Sequence, residues 1–130
     1  MKAVSTLIAG IGLVVWAGPM LAHHSFDAEY DRTKTLVMKG LVTKIEWMNP
    51  HARFYIDVKD ESGKVTNWNL ELGSPNALTR AGWTRRSLAI GDAVTVTVSL
   101  ARDGSKMANA RDVILADGKK VFAASSAGAP

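Results

Sequence analysis

Residues 36–58 read LVMKGLVTKIEWMNPHARFYIDV, and this stretch predicts the fold. Apolar and polar side chains alternate on both sides of Gly40, but the apolar phase shifts there by one residue. Leu36 and Met38 form one face before the glycine. The face after it consists of Leu41, Thr43, Ile45 and Trp47. A glycine at a phase shift is typical of a β-bulge, so we expect one long strand that bends at Gly40.

Two more strands and a helix are predicted downstream of the Asn49-Pro50 turn. Their apolar faces run through residues 54, 56 and 58 and through residues 68, 70 and 72, and residues 60–63 read as the hairpin turn between them. The period then changes. Ser74 can cap a helix that has Pro75 in its first position and ends at Gly82.

Two last strands complete the expected fold. Val94, Val96, Val98 and Leu100 face inward on the fourth, and the fifth covers about residues 108–115. Three strands, a helix and two strands is the order of an OB-fold, a five-stranded Greek-key barrel. We therefore expect an all-β protein with one short helix and an OB-fold-like barrel. A six-stranded sandwich without a true helix is the alternative.

The tryptophans are assigned to the interior by the same alternation. Trp47 and Trp68 lie on the inward phase of their strands, and Trp83 follows the helix, where it would close one end of the barrel. Tyr55, Asn67 and Asn69 lie on the outward phase of the second and third strands. OB-folds bind ligands on this face, so these three residues form a possible ligand surface.

The N-terminal segment reads as a secretion signal. Lys2 precedes an uncharged apolar stretch, and Met20-Leu21-Ala22 offers a small residue before a cut. A cut after Ala17 and an uncleaved N-terminal anchor are the alternatives. The stretch is too short for a comfortable membrane span. We predict a signal peptide at 1–22, an N-terminal arm at 23–34, an OB-like barrel at 35–118 and a flexible tail at 119–130. The mature protein would be periplasmic or secreted, without a stable membrane span.

Composition excludes several classes of function. The chain has no cysteine, which rules out disulfides and thiolate metal sites. Its formal charge of +4 is spread along the chain and does not indicate nucleic-acid binding. No nucleophile motif or phosphate-binding glycine loop is present, so the sequence favours a binding protein over an enzyme.

Three histidines suggest a metal site. A cut after Ala22 makes His23 the first residue, with a free amine beside its imidazole. Amine and imidazole donors favour Cu(II) among first-row metals. His51 could supply an opposing imidazole, or His24 could bind with the amine and its own backbone amide. Copper storage, or delivery to another exported protein or periplasmic partner, is therefore expected. An oxidative enzyme built on the same ligands is an alternative, and solvated histidines with a structural His51 are another.

Several motifs together resemble a family of small exported bacterial proteins of unknown function. They are His23-His24-Ser25-Phe26, Glu29-Tyr30-Asp31, Gly40, Trp47-Met48-Asn49-Pro50-His51-Ala52, Trp68 with Glu71, Ser74-Pro75 with Leu78, Arg80, Gly82-Trp83, and Gly91-Asp92. The resemblance covers almost the whole mature chain and implies no substrate or reaction. A non-metal interaction module, binding a partner protein or an oligosaccharide on the barrel face, is the alternative function.

Overall fold

The computed structural model describes residues 26–124. A helical turn at residues 26–29 leads into the first strand. The elements that follow are β1 (Tyr30–Glu46), β2 (Arg53–Lys59), β3 (Val65–Glu71), α1 (Pro75–Arg80), β4 (Ala93–Ala101), β5 (Met107–Ile114) and β6 (Lys120–Phe122). The predicted signal peptide at 1–22, His23, His24 and the end of the predicted tail lie outside the described residues.

The five long strands form a closed ring of hydrogen-bonded pairs. β1 pairs with both β2 and β4, and β3 and β5 each extend one side of the sheet in antiparallel order. A parallel pairing of β3 with β5 closes the ring. This strand order and the single helix between β3 and β4 confirm the predicted OB-like topology.

β6 is a sixth strand that the sequence analysis did not predict. It pairs with β5, and Ala123 next to it accepts a hydrogen bond from the Gly73 amide at 2.9 Å. The ordered structure thus extends into the segment predicted as a tail from residue 119. At the other end β1 begins at Tyr30, five residues before the predicted boundary at residue 35. Both extensions add backbone hydrogen bonds that side-chain alternation does not reveal.

The bulge in β1 lies at a different place from the prediction. The β1–β4 ladder runs without interruption through Gly40, and the β1–β2 register shifts between Val42 and Lys44. The buried phase therefore passes from Met38 to Val42, and Leu41 is 53% exposed. The prediction of a bulge at Gly40, with Leu41 and Thr43 on the inner face, was wrong. Because residues 41 and 42 are both apolar, the sequence alone does not show which of them faces the core.

Gly40 has a steric role instead. An ideal Cβ at this position would lie 2.5 Å from the Asp57 carbonyl oxygen. Glycine therefore lets β1 approach the β2 backbone closely while it changes partner from β4 to β2. The long strand can in this way belong to both sides of the ring.

The core fills the interior of this ring. Phe54, Ile56 and Leu70 are fully buried there, as their alternation predicts. α1 begins at the Ser74 cap, whose hydroxyl accepts a hydrogen bond from the Ala77 amide at 3.2 Å. Trp83 follows it, 1% exposed, and its indole donates to the Phe122 carbonyl at 2.9 Å. The helix prediction is confirmed, and Trp83 ties the helix end to β6.

Trp47 and Trp68 are less enclosed than predicted. Both are half-buried and pack against the core from its margin. Lys106 Nζ lies over the Trp68 ring, 5.1 Å from its centroid. Trp47 comes directly after the last residue of β1, outside the hydrogen-bonded part of the strand. The inward phase was read correctly, but it does not guarantee full burial near the end of a strand.

Candidate functional site

Glu71 lies at the centre of a polar cluster on the outside of the ring. It occupies the outward phase at the end of β3, yet only 3% of it is exposed. Buried carboxylates are rare unless charges and donors surround them. We call this group of side chains, each in contact with Glu71 or with one of its partners, the Glu71 cluster. Its members are Tyr30, His51, Arg53, Asn69, Glu71 and Asn109.

Sheet pairing brings most of these side chains together. Arg53 and Glu71 are cross-strand partners in the β2–β3 ladder, and Asn109 faces Glu71 across the parallel β3–β5 ladder. The Arg53 guanidinium donates to Glu71 Oε2 at 2.5 Å and to Asn69 Oδ1 at 3.2 Å. The Asn109 amide donates to Glu71 Oε1 at 3.4 Å. The closure of the ring therefore assembles this cluster.

Tyr30 covers the cluster from the N-terminal side. Its hydroxyl donates to Glu71 Oε2 at 3.0 Å, and the residue is 1% exposed. Burial is the main cause that raises the pKa of Tyr30 well above its usual range, and the nearby charge of Glu71 adds to it. Tyr30 is therefore a neutral hydrogen-bond donor over the whole physiological pH range.

His51 approaches the same carboxylate from the β1–β2 connection. Its Nδ1 atom lies 3.3 Å from Glu71 Oε1, and 36% of its side chain is exposed. A ring nitrogen next to a carboxylate is favoured when it carries hydrogen, because a lone pair there would face negative charge. In the neutral ring the other nitrogen, Nε2, then carries the lone pair, which can accept a hydrogen bond or bind a metal ion.

The predicted N-terminal arm is held against this end of the molecule. Phe26 is 2% exposed and packs on Tyr30 with 5.4 Å between ring centroids. Neither aromatic side chain belongs to the hydrophobic core that the closed sheet surrounds. The Arg32 guanidinium lies 4.5 Å above Phe26 and binds Asp27 at 2.6 Å. The arm is therefore ordered from Phe26 onward by its own apolar and ionic contacts.

Arg102 fixes the arm to the β4–β5 connection. Its side chain donates to the Asp27 carbonyl at 2.7 Å, and its amide donates to the Glu29 carbonyl at 2.9 Å. A groove of about 590 Å³ lies between this part of the arm and the connection, with Arg53 and Tyr30 in its wall. The Glu71 cluster thus borders an open groove large enough for a small ligand.

Of the three predicted metal ligands, one lies within the described residues. His51 is described, whereas His23 and His24 precede the first described residue. Within residues 26–124, no group of three or more His, Cys, Asp or Glu side chains could hold a metal ion. A metal bound by His51 would therefore need donors from the N-terminal histidines or from outside this part of the chain.

The predicted ligand surface separates into two parts. Asn69 belongs to the Glu71 cluster through Arg53. The Tyr55 hydroxyl donates to Glu46 at 3.1 Å, and the Asn67 amide donates to Asp57 at 2.8 Å. Their polar atoms are thus engaged with neighbouring strands on the outer face. They remain a possible surface, but they do not converge on His51.

Sequence reasoning missed four members of the cluster as site residues: Tyr30, Arg53, Glu71 and Asn109. A signal was present in two cases. Asn109 is a polar residue between two alanines of a predicted strand, and Glu71 is a charged residue between two leucines. A charge at an outward position is normally solvated, and only the position of Tyr30 and His51 over it shows otherwise.

The family assignment follows from the sequence match to residues 11–110, which include both His51 and Glu71. The chain belongs to DUF6152, a family of unknown function. The expected membership of an uncharacterised family is thereby confirmed. The DUF6152 match supplies no substrate or cofactor. Searches of curated proteins and of solved structures returned no significant match. No helix within residues 26–124 has the length and hydropathy needed to cross a membrane.

Proposed function

We propose that this DUF6152 protein is exported and that, once cut after Ala22, it binds one Cu(II) ion for storage or delivery. The ligands would be the amine and imidazole of His23 together with the imidazole of His51. The observation that carries the proposal is the convergence of two segments on one carboxylate. His51 contacts Glu71 Oε1, and the N-terminal arm contacts Glu71 Oε2 through Tyr30.

The orientation of His51 supports this role. Metal-bound histidines commonly place their other ring nitrogen against a carboxylate, which fixes the ring and makes it a stronger donor. The Nδ1 of His51 has such a partner in Glu71, and the partly exposed side chain leaves Nε2 for a ligand. Arg53 and Tyr30 also donate hydrogen bonds to Glu71 and hold its carboxylate in place, so the residue that orients His51 is itself fixed.

Chain length supports the contribution of the N-terminus. Phe26 is buried against Tyr30, and His23 precedes it by three residues. Three residues span at most about 11 Å when extended. The amine of a chain that starts at His23 would therefore lie within about 11 Å of Phe26, which packs on Tyr30 of the Glu71 cluster. His24 also falls within this reach, and its imidazole is the alternative to that of His51.

The test starts with the N-terminus of the exported protein. Intact mass of periplasmic material should correspond to a chain that begins at His23. Copper titration then compares this chain with one whose His23 amine is blocked by acetylation. We expect one Cu(II) per chain, bound far more weakly in the acetylated form, because acetylation converts the amine donor into an amide. Equal affinities would contradict the role of the amine.

Two single variants distinguish the ligand sets. His51→Ala should weaken copper binding while His24→Ala leaves it nearly unchanged, if the imidazole of His51 opposes His23. The reverse result would assign the site to the amine, the amide and His24. Electron paramagnetic resonance of the Cu(II) forms counts the nitrogen donors independently of affinity. A titration in which neither variant changes binding would overturn the proposal.

A further inference from the structure

A second surface, on the connection between α1 and β4, has an unusual charge distribution. Residues 72–91 contain Arg80, Arg85 and Arg86 but no acidic residue. All three arginines are exposed, and within the described residues none forms an ion pair. Three other arginines, at positions 32, 53 and 102, bind carboxylates. Asp92, the next residue along the chain, is the one acidic residue between α1 and β4, so the connection carries net positive charge.

A turn at residues 84–87 presents two of these arginines outward. The Ser87 amide donates to the Thr84 carbonyl at 3.0 Å, and the Thr84 amide donates to the Ser87 hydroxyl at 2.9 Å. Arg85 and Arg86 occupy the two central positions. Buried side chains, Trp83 and Leu88, anchor the turn on either side. The arginines therefore project from a braced turn.

An apolar residue projects from the next turn. The Asp92 amide donates to the Ala89 carbonyl at 3.1 Å, and the Ala89 amide donates to the Asp92 carboxylate at 2.9 Å. Ile90 is at the tip of this turn and is 73% exposed. Gly91 follows with φ +93°, and its amide donates to the Val42 carbonyl at 2.7 Å. The position of Ile90 is thus set by the ring itself.

We propose that these two turns form a membrane-contact surface for bilayers that contain anionic phospholipids. Arg85 and Arg86 would contact headgroup phosphates, with Arg80 adding to the attraction, and Ile90 would enter the interfacial region. Charge and a neighbouring apolar tip together are what surface attachment to an anionic bilayer requires. A small soluble anion would make no use of an exposed isoleucine, so the pair favours a lipid surface.

The test uses sedimentation with vesicles of phosphatidylcholine alone or mixed with phosphatidylglycerol, at low salt. The variant Arg85→Gln/Arg86→Gln is compared with Lys64→Gln/Lys119→Gln, which removes the same charge from two other exposed turns. Both variants keep the N-terminus of the parent chain, so any contribution from that segment cancels. Thermal melts of both variants check that the fold is unchanged.

We expect stronger binding to the anionic vesicles than to phosphatidylcholine, and a loss with added salt. The double arginine variant should lose on the order of tenfold or more in partitioning. The lysine variant should lose less than the arginine variant, because Lys64 and Lys119 lie on hairpin turns that are not part of the proposed contact surface. Ile90→Ser should also weaken the binding to anionic vesicles.

Equal losses in the two double variants would show that net charge alone attracts the protein, and would overturn the proposal. Equal binding of the parent protein to both kinds of vesicle would also overturn it. Polyglutamate provides a further comparison. Binding to polyglutamate that depends on Arg85 and Arg86, without binding to anionic vesicles, would assign the surface to an acidic protein instead.

Discussion

Glu71 illustrates how much a single residue depends on its neighbours. Its position in β3 is an outward one, where a glutamate would normally be hydrated. Here four side chains replace the water: Tyr30, Arg53, Asn109 and, at 3.3 Å, His51. A buried carboxylate in such a network favours the fold only while its partners remain, because without them it would be a buried charge with unsatisfied acceptors.

Glu71→Gln tests this dependence. The amide keeps the shape but removes the charge that Arg53 faces, so the free energy of unfolding should fall by about 1–3 kcal/mol. Glu46→Gln is the matched control, because its ion pair with Lys44 is open to solvent and should contribute less to stability. Chemical denaturation of both variants measures the difference. Equal losses would mean that burial does not distinguish the two carboxylates.

The raised pKa of Tyr30 predicts a loss of stability at alkaline pH. Its pKa in the folded state is raised above the unfolded value of about 10, so the folded state holds the proton more tightly. The associated stability is fully present below pH ~10 and is lost as the pH rises through the folded pKa. Denaturation at increasing pH should show this loss in the parent chain but not in Tyr30→Phe. Parallel pH profiles would contradict the prediction.

β1 is the element on which the ring depends. It pairs with β4 along one part and with β2 along the other, so it must bend between them. The register shift at Thr43 carries the residues beyond it back to the core, and Gly40 permits the close approach to Asp57. Thr43 is the extra residue of the bulge, and Gly40 has no side chain to clash with β2. Together these two residues allow β1 to bend.

Gly40→Ala should be poorly tolerated. The added Cβ would contact a backbone carbonyl of β2, which cannot move without disturbing the ladder, so we expect a loss of about 1–3 kcal/mol. Lys39→Ala is the control on the same strand, because its side chain is exposed and should change stability by less than about 0.5 kcal/mol. Urea denaturation compares the two. An unchanged Gly40→Ala variant would show that the two strands can separate without cost.

On the scale of the whole molecule, the described residues, 26–124, contain two groups of buried apolar side chains. One is the core inside the ring, and the other is the pair Phe26 and Tyr30, which packs outside it. The arm is attached by this pair, by the Glu71 cluster and by Arg102. Small clusters of this kind can open without unfolding the rest of the domain. Any metal site that uses the N-terminus would depend on the closed state of the arm.

Phe26→Ala should release the arm while the ring persists. Hydrogen exchange at the Arg102 amide, which donates to the Glu29 carbonyl, should then become faster, while amides of the β2–β3 ladder stay protected. Phe54→Ala provides the contrast, since Phe54 belongs to the core and its truncation should cost about 3–5 kcal/mol globally. Uniform acceleration in Phe26→Ala would mean that arm and ring unfold together.

Local patterns in the sequence determine much of this fold. The alternation in β2, β3 and β4, the Ser74-Pro75 cap and the glycine after the helix each depend on residues within one or two turns of each other. Such signals predict element type and order, and hence the OB-like topology. The bulge in β1 escaped them because the adjacent apolar residues Leu41 and Val42 fit either face.

The tertiary structure alone decided the features that join distant segments. β6 has too few residues to show a pattern and exists because β5 offers a free edge. The Glu71 cluster needs side chains from β1, β2, β3, β5 and the β1–β2 connection, which meet only when β3 and β5 close the ring. Periodicity reports which face a residue occupies, but burial of a polar residue on the outer face depends on which other segment covers it.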